Sequence, residues 1–338
     1  MDGARLFAPF VHRQDQRHPP TPLPQRHPAT TCTAGRGARV TAPREVLPGR
    51  SYLLTRRCTQ RQFLLKPSKR TNQLVRYCLA VAASKTGVLL HAVCFMSNHW
   101  HGVVTDPFAR LPEFLEHFHR LLAKAQNASL GRWENLWSSD KTSVVLLVSD
   151  DDLLEKMAYT IVNPTAAGLV RSPKEWPGVV TTRIGEHCTV DMPDVFFDPE
   201  GTLPETVQLE FTRPPIYPQL DQKQLGRHLA NAVERRVRDA REAMARQGRK
   251  FLGAKAVLQQ PFDAVPKTTE PRRNPNPRIA AAHTPERVQA IRNLLAFLRD
   301  YRAAWHAWRH GKREQVFPAG TYALRIYARV ACAPACPA

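Results

Sequence analysis

The sequence predicts an α+β fold, in which helices cover one face of an antiparallel β-sheet, followed by a mainly helical C-terminal region. Two observations lead to this prediction. Between residues 50 and 170, short apolar runs of strand length alternate with stretches in which apolar residues recur every three or four positions. Beyond about residue 190, proline-rich connections separate two long stretches with helical periodicity.

Local signals predict the first three strands and the first helix. Ser51–Cys58 is a strand-like run, and Ser68 is a suitable N-cap for a helix that ends at Gly87. Leu89–Phe95 and His99–Thr105 are two apolar runs separated by three residues. This spacing predicts a β-hairpin.

The remaining elements of the first half complete a layered sheet. Pro112 begins a second helix, and Val144–Val148 is a further strand. Three aspartates, Asp150 to Asp152, suit the positive end of a third helix. We expect this helix to end at Pro164, because the residue before a proline disfavours helical backbone. The order strand, helix, strand, strand, helix, strand, helix is typical of a ferredoxin-like sheet with one extra helix.

The C-terminal half contains two long helical stretches joined by a linker rich in proline and arginine. Gln222–Gln247 has apolar residues along one side and arginines along the other. Thr284 and Pro285 are suited to begin a second helix, which ends at Gly311. We expect the apolar positions of that helix to form a buried stripe, comprising Val288, Ile291, Leu295, Leu298, Trp305 and Trp308.

These patterns divide the chain into three predicted regions. Residues 1–48 hold eight prolines and little apolar periodicity, which is typical of a disordered basic leader. Residues 49–185 form the α+β domain. Residues 186–338 form a basic, mainly helical region to which the sequence assigns no role.

The charge and composition of the chain indicate its class of partner. The 338 residues include 49 Lys and Arg against 29 Asp and Glu, a formal net charge of +20. Such an excess favours nucleic acid or an anionic surface, although a merely solubilising surface has the same composition. No apolar run reaches the roughly 18 residues of a membrane span, which excludes a membrane protein. Seven scattered cysteines without a C-x-x-C pair disfavour a zinc cluster or a disulfide framework and predict a reduced, cytoplasmic protein.

Two H-x-H pairs are candidate metal ligands, and geometry separates them. Residues two apart on a strand point the same way, so His99 and His101 are able to share one metal ion. Residues two apart on a helix diverge by about 200°, so we expect His117 and His119 to be ordinary surface or packing residues. The alternative for the strand pair is two half-exposed histidines of the sheet.

Tyr159 and Asn163 form a second constellation in the third predicted helix. They lie four apart and therefore on one face of the helix. An amide oxygen is a reasonable hard ligand beside two imidazoles and leaves positions open for phosphate oxygens. The same spacing fits a tyrosine packed on the sheet and an asparagine at a helix end, and spacing alone favours this second interpretation.

Two segments of the chain resemble a known family. Residues 96–101, MSNHWH, are similar to the M-P-N-H-x-H signature of the single-tyrosine HUH transposases. Residues 159–170, YTIVNPTAAGLV, are similar to their Y-I-x-x-N-P-V-R-A-G-L-V segment. The REP-associated tyrosine transposases, which recognise short DNA hairpins, are the nearest branch. The resemblance covers roughly residues 50–182, with departures at Ser97, at Thr165 and Ala166, and at Ser138 and Ser139 after Trp137.

The resemblance implies an HUH transposase core, a chemistry and a substrate class. It implies that His99 and His101 bind a divalent metal, Mg²⁺ or Mn²⁺, that Asn163 completes the site, and that Tyr159 is the nucleophile. The expected reaction is cleavage and rejoining of single-stranded or hairpin DNA through a 5′-phosphotyrosine. Two other functions stay open: a domesticated, non-catalytic binder of hairpin DNA or structured RNA, and a metal-dependent nuclease that uses water.

Basic and aromatic side chains are the candidate DNA contacts. Phosphate contacts of basic residues increase affinity without reading sequence, whereas aromatic rings stack on unpaired bases. Lys156 lies three residues before Tyr159 and is a candidate to assist its attack. A homodimer is one oligomeric state that the sequence allows. The candidate DNA contacts are Arg56, Arg57, Arg61, Lys66, Lys69, Arg70, Lys156, Arg235, Arg238, Trp100 and Trp137. A solvated helix face is the alternative for each basic group.

Overall fold

A computed structural model describes residues 43–196, 200–267 and 278–335. Its strands are β1 Arg50–Arg57, β2 Leu89–Phe95, β3 His99–Asp106, β4 Ser143–Leu147, β5 His187–Asp191, β6 Thr206–Glu210 and β7 Ile279–Ala280. Its helices are α1 Lys69–Thr86, α2 Leu111–Ser129, α3 Asp150–Ala166, α4 Gln222–Arg246, α5 Ala254–Gln259, α6 Thr284–Arg309 and α7 Ala323–Tyr327. The predicted α+β class and the helical C-terminal region are confirmed.

The main sheet has five strands in the order β2-β3-β1-β4-β7. Its pairs are antiparallel except for the short parallel pair of β4 with β7. On β1 and β3, Thr55 lies opposite His101 and Arg57 lies opposite His99. Cross-strand partners share a face of the sheet, so these four residues lie on one side. β5 and β6 form a separate hairpin.

Helices cover both faces of the sheet, whereas the sequence predicted one covered face. Leu54 packs with α1 and α2 on one side. Leu53 and Val103 pack with α3 and α4 on the other. The physical reason is that adjacent residues of β1 are both apolar, and a strand with two apolar faces needs cover on both.

The ends of α1 follow the predicted capping signals, whereas the end of α3 does not. Ser68 Oγ accepts a hydrogen bond of 2.9 Å from the Thr71 backbone N–H at the start of α1, and Gly87 ends the helix with a φ of +72°. The prediction that α3 ends at Pro164 is wrong, because the helix continues to Ala166. A proline in the final turn removes only one backbone hydrogen bond, and the Ala167 N–H still donates to the Asn163 carbonyl at 2.9 Å.

The first half of α6 is exposed, which corrects the predicted buried stripe. The exposed fractions are 40% for Val288, 39% for Ile291 and 59% for Leu295. Leu298 is buried, and Trp305 and Trp308 are partly buried. The cause is that the cluster around Phe317 and Val330, against which α6 packs, contacts only its second half.

Two segments outside the predicted strands and helices of the α+β domain are also buried. Of the predicted disordered leader, residues 1–42 lie outside the described residues, but Val46 is buried and its N–H donates to the Gly320 carbonyl at 3.0 Å. Leu209 and Phe211 join the core beneath α1. The predicted domain boundary at 185 stays a prediction. Within the described residues, no helix is long and apolar enough to cross a membrane.

Candidate active site

The hairpin between β2 and β3 places the two histidines on one face. The Met96 N–H donates to the His99 carbonyl at 2.8 Å, and the Cys58 N–H donates to the Asn98 carbonyl at 2.7 Å. These backbone bonds fix the turn immediately before β3. The ring centroids of His99 and His101 lie 4.9 Å apart, with the rings nearly perpendicular. The structure therefore brings together the two predicted ligands.

Each imidazole is oriented through its Nδ1 atom. His101 Nδ1 lies 2.8 Å from Thr55 Oγ1, and His99 Nδ1 lies 2.7 Å from Asn98 Oδ1. Because an amide oxygen only accepts hydrogen bonds, His99 Nδ1 donates, and the lone pair of the neutral ring is on Nε2. Asn98 Nδ2 in turn donates to the Arg61 carbonyl at 3.1 Å. Partners of this kind set the tautomer and ring orientation of metal-binding histidines.

The environment of His101 favours its neutral form. Burial lowers the pKa of His101 well below its usual value, and repulsion from His99 and Arg57 lowers it further. An imidazole binds a metal ion only when it is neutral. The site therefore holds His101 in the binding form at neutral pH.

The helix α3 presents Tyr159 and Asn163 to this pair of histidines. The Tyr159 and His101 ring centroids are 5.5 Å apart, and the Asn163 side chain hydrogen-bonds to Tyr159. Burial raises the pKa of Tyr159, while the Asn163 hydrogen bond and the charges of Arg236 and Arg57 act in the opposite direction. Burial is the larger effect, so the pKa of Tyr159 stays above its usual value, and these three groups partly offset the effect of burial.

The donor set fits a divalent metal with open coordination positions. In the part of the chain that the structure describes, no three His, Cys, Asp or Glu side chains come together as a metal site. Asn163, which the resemblance implies as the third ligand, hydrogen-bonds to Tyr159 beside His101 and has an amide oxygen to offer. Two neutral imidazoles and one amide oxygen suit an ion that also binds phosphate oxygens and water.

Several predicted DNA contacts lie on the same face or beside it. Arg57 lies next to His99 across the sheet, and Lys156 Nζ is 5.8 Å from the Tyr159 ring centre. Arg61 belongs to the loop that holds Asn98. The remaining predicted basic residues lie on the surface near α1 or on α4. Lys69, Arg70, Arg235 and Arg238 are exposed, and Lys66 Nζ donates to the Leu258 carbonyl.

Trp100 and Arg56 lie on the opposite face of the sheet and do not reach the site. Trp100 is fully buried, and its Nε1 donates to His119 Nε2 at 3.2 Å. Arg56 Nη1 donates to Thr142 Oγ1 at 3.1 Å and lies 3.3 Å from His119 Nδ1. Trp137 is also buried, so neither tryptophan is available to stack on a base. The cause is strand alternation, which turns residues between site residues away from the site.

The sequence assigned no site role to three residues whose positions in the structure suit contact with a ligand. Arg236 and Arg249 line a cleft of about 310 Å³ together with Tyr159. Trp133 is 96% exposed, on the loop that leads to Trp137, and the Thr59 N–H is bonded to the Leu136 carbonyl of the same loop. The arginine-rich face of 222–247 was the available signal for Arg236. Nothing local distinguishes Trp133 from the buried tryptophans.

Two solved structures to which the chain is similar are transposases by name. A REP-associated tyrosine transposase bound to a REP hairpin is 19% identical, with a TM-score of 0.33, over 41% of this chain and 81% of that one. A candidate transposase from Deinococcus radiodurans R1 is 18% identical, with a TM-score of 0.25, over 31% of this chain and 85% of that one. No protein-family model and no curated protein matches the chain.

Proposed function

We propose that the protein is a tyrosine DNA strand transferase and single-strand endonuclease, which cleaves and rejoins single-stranded or hairpin DNA. The observation that carries the proposal is the position of Tyr159. Its ring lies 5.5 Å from that of His101, its side chain is hydrogen-bonded to Asn163, and the charges of Arg57 and Arg236 act on it. The resemblance of both motifs to the single-tyrosine HUH transposases supports the same assignment.

The proposed reaction is a transesterification at phosphorus. The Tyr159 oxygen forms a bond to phosphorus while the bond from phosphorus to the 3′ oxygen breaks, which leaves a 5′-phosphotyrosine and a 3′-hydroxyl. The proton lost by the phenol balances the proton taken up by the 3′ oxygen. Reversal by another 3′-hydroxyl rejoins the strands, so no nucleotide cofactor is needed.

The side chains around Tyr159 have distinct parts in this reaction. Asn163 and the arginines stabilise the phenolate as the proton leaves, since a free phenol has a pKa near 10. His99, His101 and Asn163 would hold a divalent ion, Mg²⁺ or Mn²⁺, which when bound offsets negative charge on the non-bridging phosphate oxygens.

Free buried thiols such as Cys78 and Cys94 suit the reducing, cytoplasmic setting that we propose.

Trapping of a covalent adduct tests the proposal. Purified protein is incubated with 5′- and 3′-labelled hairpin-bearing single strands and Mn²⁺, and the products are separated on a denaturing gel. We expect the parent and a Tyr327→Phe control, which alters an exposed tyrosine, to form a protein–DNA adduct. Tyr159→Phe should form none and leave the strand intact.

Each alternative to the proposed function predicts a different result on the gel. Cleavage by Tyr159→Phe at the parent rate would overturn the assignment of the nucleophile. Cleavage by the parent without an adduct would indicate water as the nucleophile. Hairpin binding by the parent without cleavage would indicate the non-catalytic binder.

A further inference from the structure

A cleft between α3 and α4 opens at the tyrosine. It has a volume of about 310 Å³, near the lower end of the roughly 300–1,000 Å³ range of ligand pockets. Its lining combines small apolar side chains with charged ones. Among them are Tyr159, Arg236, Asp239, Ala243, Met244 and Arg249. One wall therefore belongs to the helix that carries Tyr159, and the other belongs to a helix outside the segments that resemble the transposases.

Glu155 holds the arginine of the second wall in place. Arg236 Nη2 and Nε donate to Glu155 Oε2 at 2.7 and 3.1 Å, and Arg235 is bonded to the other carboxylate oxygen. Glu155 lies four residues before Tyr159 and so on the same face of α3. This contact sets a guanidinium on the tyrosine side of the helix, where its charge acts on the Tyr159 hydroxyl.

The end of α3 allows a second arginine to reach the cleft. Gly168 has a φ of +76°, and a Cβ there would lie 3.0 Å from Met244 Cε and 3.4 Å from Arg249 Nη2. The Leu252 N–H donates to the Gly168 carbonyl at 3.0 Å, which ties the segment after α4 to the end of α3. Gln247 Oε1 accepts a hydrogen bond of 3.1 Å from Arg249 Nη1. Arg249 is thereby held at the rim.

The charges and the shape of the cleft indicate which class of ligand fits it. The charged side chains of the lining are two arginines, Arg236 and Arg249, and one carboxylate, Asp239. The net charge of +1 matches a phosphodiester, which has one negative charge, better than a free phosphate dianion. Alanines and a methionine on the inner wall offer apolar contact to a sugar or a base. A nucleotide within a strand has both features, whereas a lone anion has only the first.

We propose that this cleft binds the nucleotide adjoining the scissile phosphate, with Arg236 and Arg249 contacting its backbone phosphate. The inference rests on the proposed function, because it concerns the strand that Tyr159 attacks. It assigns a substrate-binding role to α4, which the sequence left without one. Arg236 and Arg249 then position the strand, and bases distant from the cleavage point contact other surfaces.

A steric variant with a matched control tests the cleft without altering charge. Ala243→Leu fills the cleft, whereas Ala245→Leu places the same side chain on the exposed side of α4 two residues away. Single-turnover adduct formation is measured with hairpin-bearing strands in which the nucleotide on one side of the scissile phosphate, taken on each side in turn, is intact or is replaced by a propanediol spacer that keeps the phosphodiester. We expect the intact nucleotide on one side to increase the parent rate, and this increase to disappear in Ala243→Leu but not in Ala245→Leu.

A charge variant tests the phosphate contact. Arg249→Gln should lower the rate on strands with the intact flanking nucleotide by about 10- to 100-fold, the range for loss of a hydrogen bond to a charged group. The decrease should be smaller on strands in which the phosphate of that nucleotide is a neutral methylphosphonate. Arg292→Gln, which removes an exposed arginine of α6, is the control and should behave as the parent.

The outcomes separate this inference from the proposed function. If the parent forms no adduct with any strand, the proposed function fails and this inference fails with it. If the parent forms an adduct but Ala243→Leu keeps the full gain from the flanking nucleotide, only the cleft assignment is wrong. Thermal unfolding and hairpin affinity that match the parent show that each variant is folded.

Discussion

The hydroxyl of Thr55 lies 2.8 Å from Nδ1 of His101, across the β1–β3 pair. The sheet register makes the two residues direct neighbours, and His101 is buried. The orientation of a proposed metal ligand is therefore set by the adjacent strand as well as by its own. The contact with His101 is a reason for a threonine at this position besides the preference of β-branched residues for strands.

Replacement of Thr55 tests this orientation. Thr55→Val keeps the shape of the side chain but removes the oxygen that bonds to His101. We expect divalent metal affinity to fall by about 10- to 100-fold, the usual effect of losing such a partner. Isothermal titration with Mn²⁺ measures the affinity directly. Thr189→Val in β5, where the threonine is exposed, is the control, and an unchanged affinity in Thr55→Val would contradict the role.

Replacement of two adjacent arginines of β1 should affect different properties of the protein. Arg57 lies on the site face and acts on Tyr159, whereas Arg56 bonds to Thr142 on the other face. Arg57→Gln should slow adduct formation by about 10-fold or more, as expected for loss of a charged contact. Arg56→Gln should instead lower the free energy of unfolding by about 1–3 kcal/mol, because it leaves a buried group without its partner. Single-turnover rates and denaturant unfolding measure the two effects, and equal slowing in both variants would refute the separation.

Strand alternation explains which parts of the site were predictable. A period of two places His99 and His101 on one face, and the structure has them there. The same rule places Trp100 on the opposite face, where it packs in parallel on Phe95. A base-stacking role for Trp100 conflicts with the rule that predicts the histidine pair, and strand geometry alone was sufficient to exclude it.

Long-range packing explains which parts were not predictable. Arg236 meets Glu155 across 81 positions of the chain, and no local pattern encodes that contact. Helical periodicity in α6 identified an apolar stripe, but periodicity does not reveal what covers it. Leu295 is accordingly exposed although Leu298, one turn later, is buried. Local rules predict elements and faces, and tertiary packing decides which faces meet.

Exposure distinguishes the tryptophan that we expect to contact DNA. Trp133 is 96% exposed, whereas Trp100 is fully buried. Trp133→Ala should weaken binding of single-stranded DNA by about 1–3 kcal/mol, the value of one stacked base, and leave unfolding unchanged. Trp100→Ala should lower the free energy of unfolding by about 3–5 kcal/mol through the cavity it creates. Fluorescence anisotropy and thermal unfolding measure these effects. Unchanged DNA affinity in Trp133→Ala would exclude stacking there.

Burial of His91 makes the stability of the protein depend on pH. The ring donates from Nδ1 to the Thr212 carbonyl, 3.1 Å away, and its Nε2 lies 2.8 Å from Thr105 Oγ1. Burial lowers the pKa of His91 from 6.5 to about 4. The folded protein therefore keeps this ring neutral at pH values where the unfolded chain protonates it. A group whose pKa is lower in the folded state stabilises the fold above the unfolded pKa and less so as the pH falls.

The sign and size of the effect follow from these two pKa values. Between pH 6.5 and 4 the unfolded state binds one more proton at His91, so the free energy of unfolding should fall by up to about 3 kcal/mol. Burial also lowers the pKa of His101 and of His119, so part of the pH dependence remains without His91. Urea unfolding at half-unit pH steps should therefore show a shallower decline for His91→Gln than for the parent. His187→Gln, which removes an exposed histidine, should follow the parent, and parallel curves for the parent and His91→Gln would disprove the linkage.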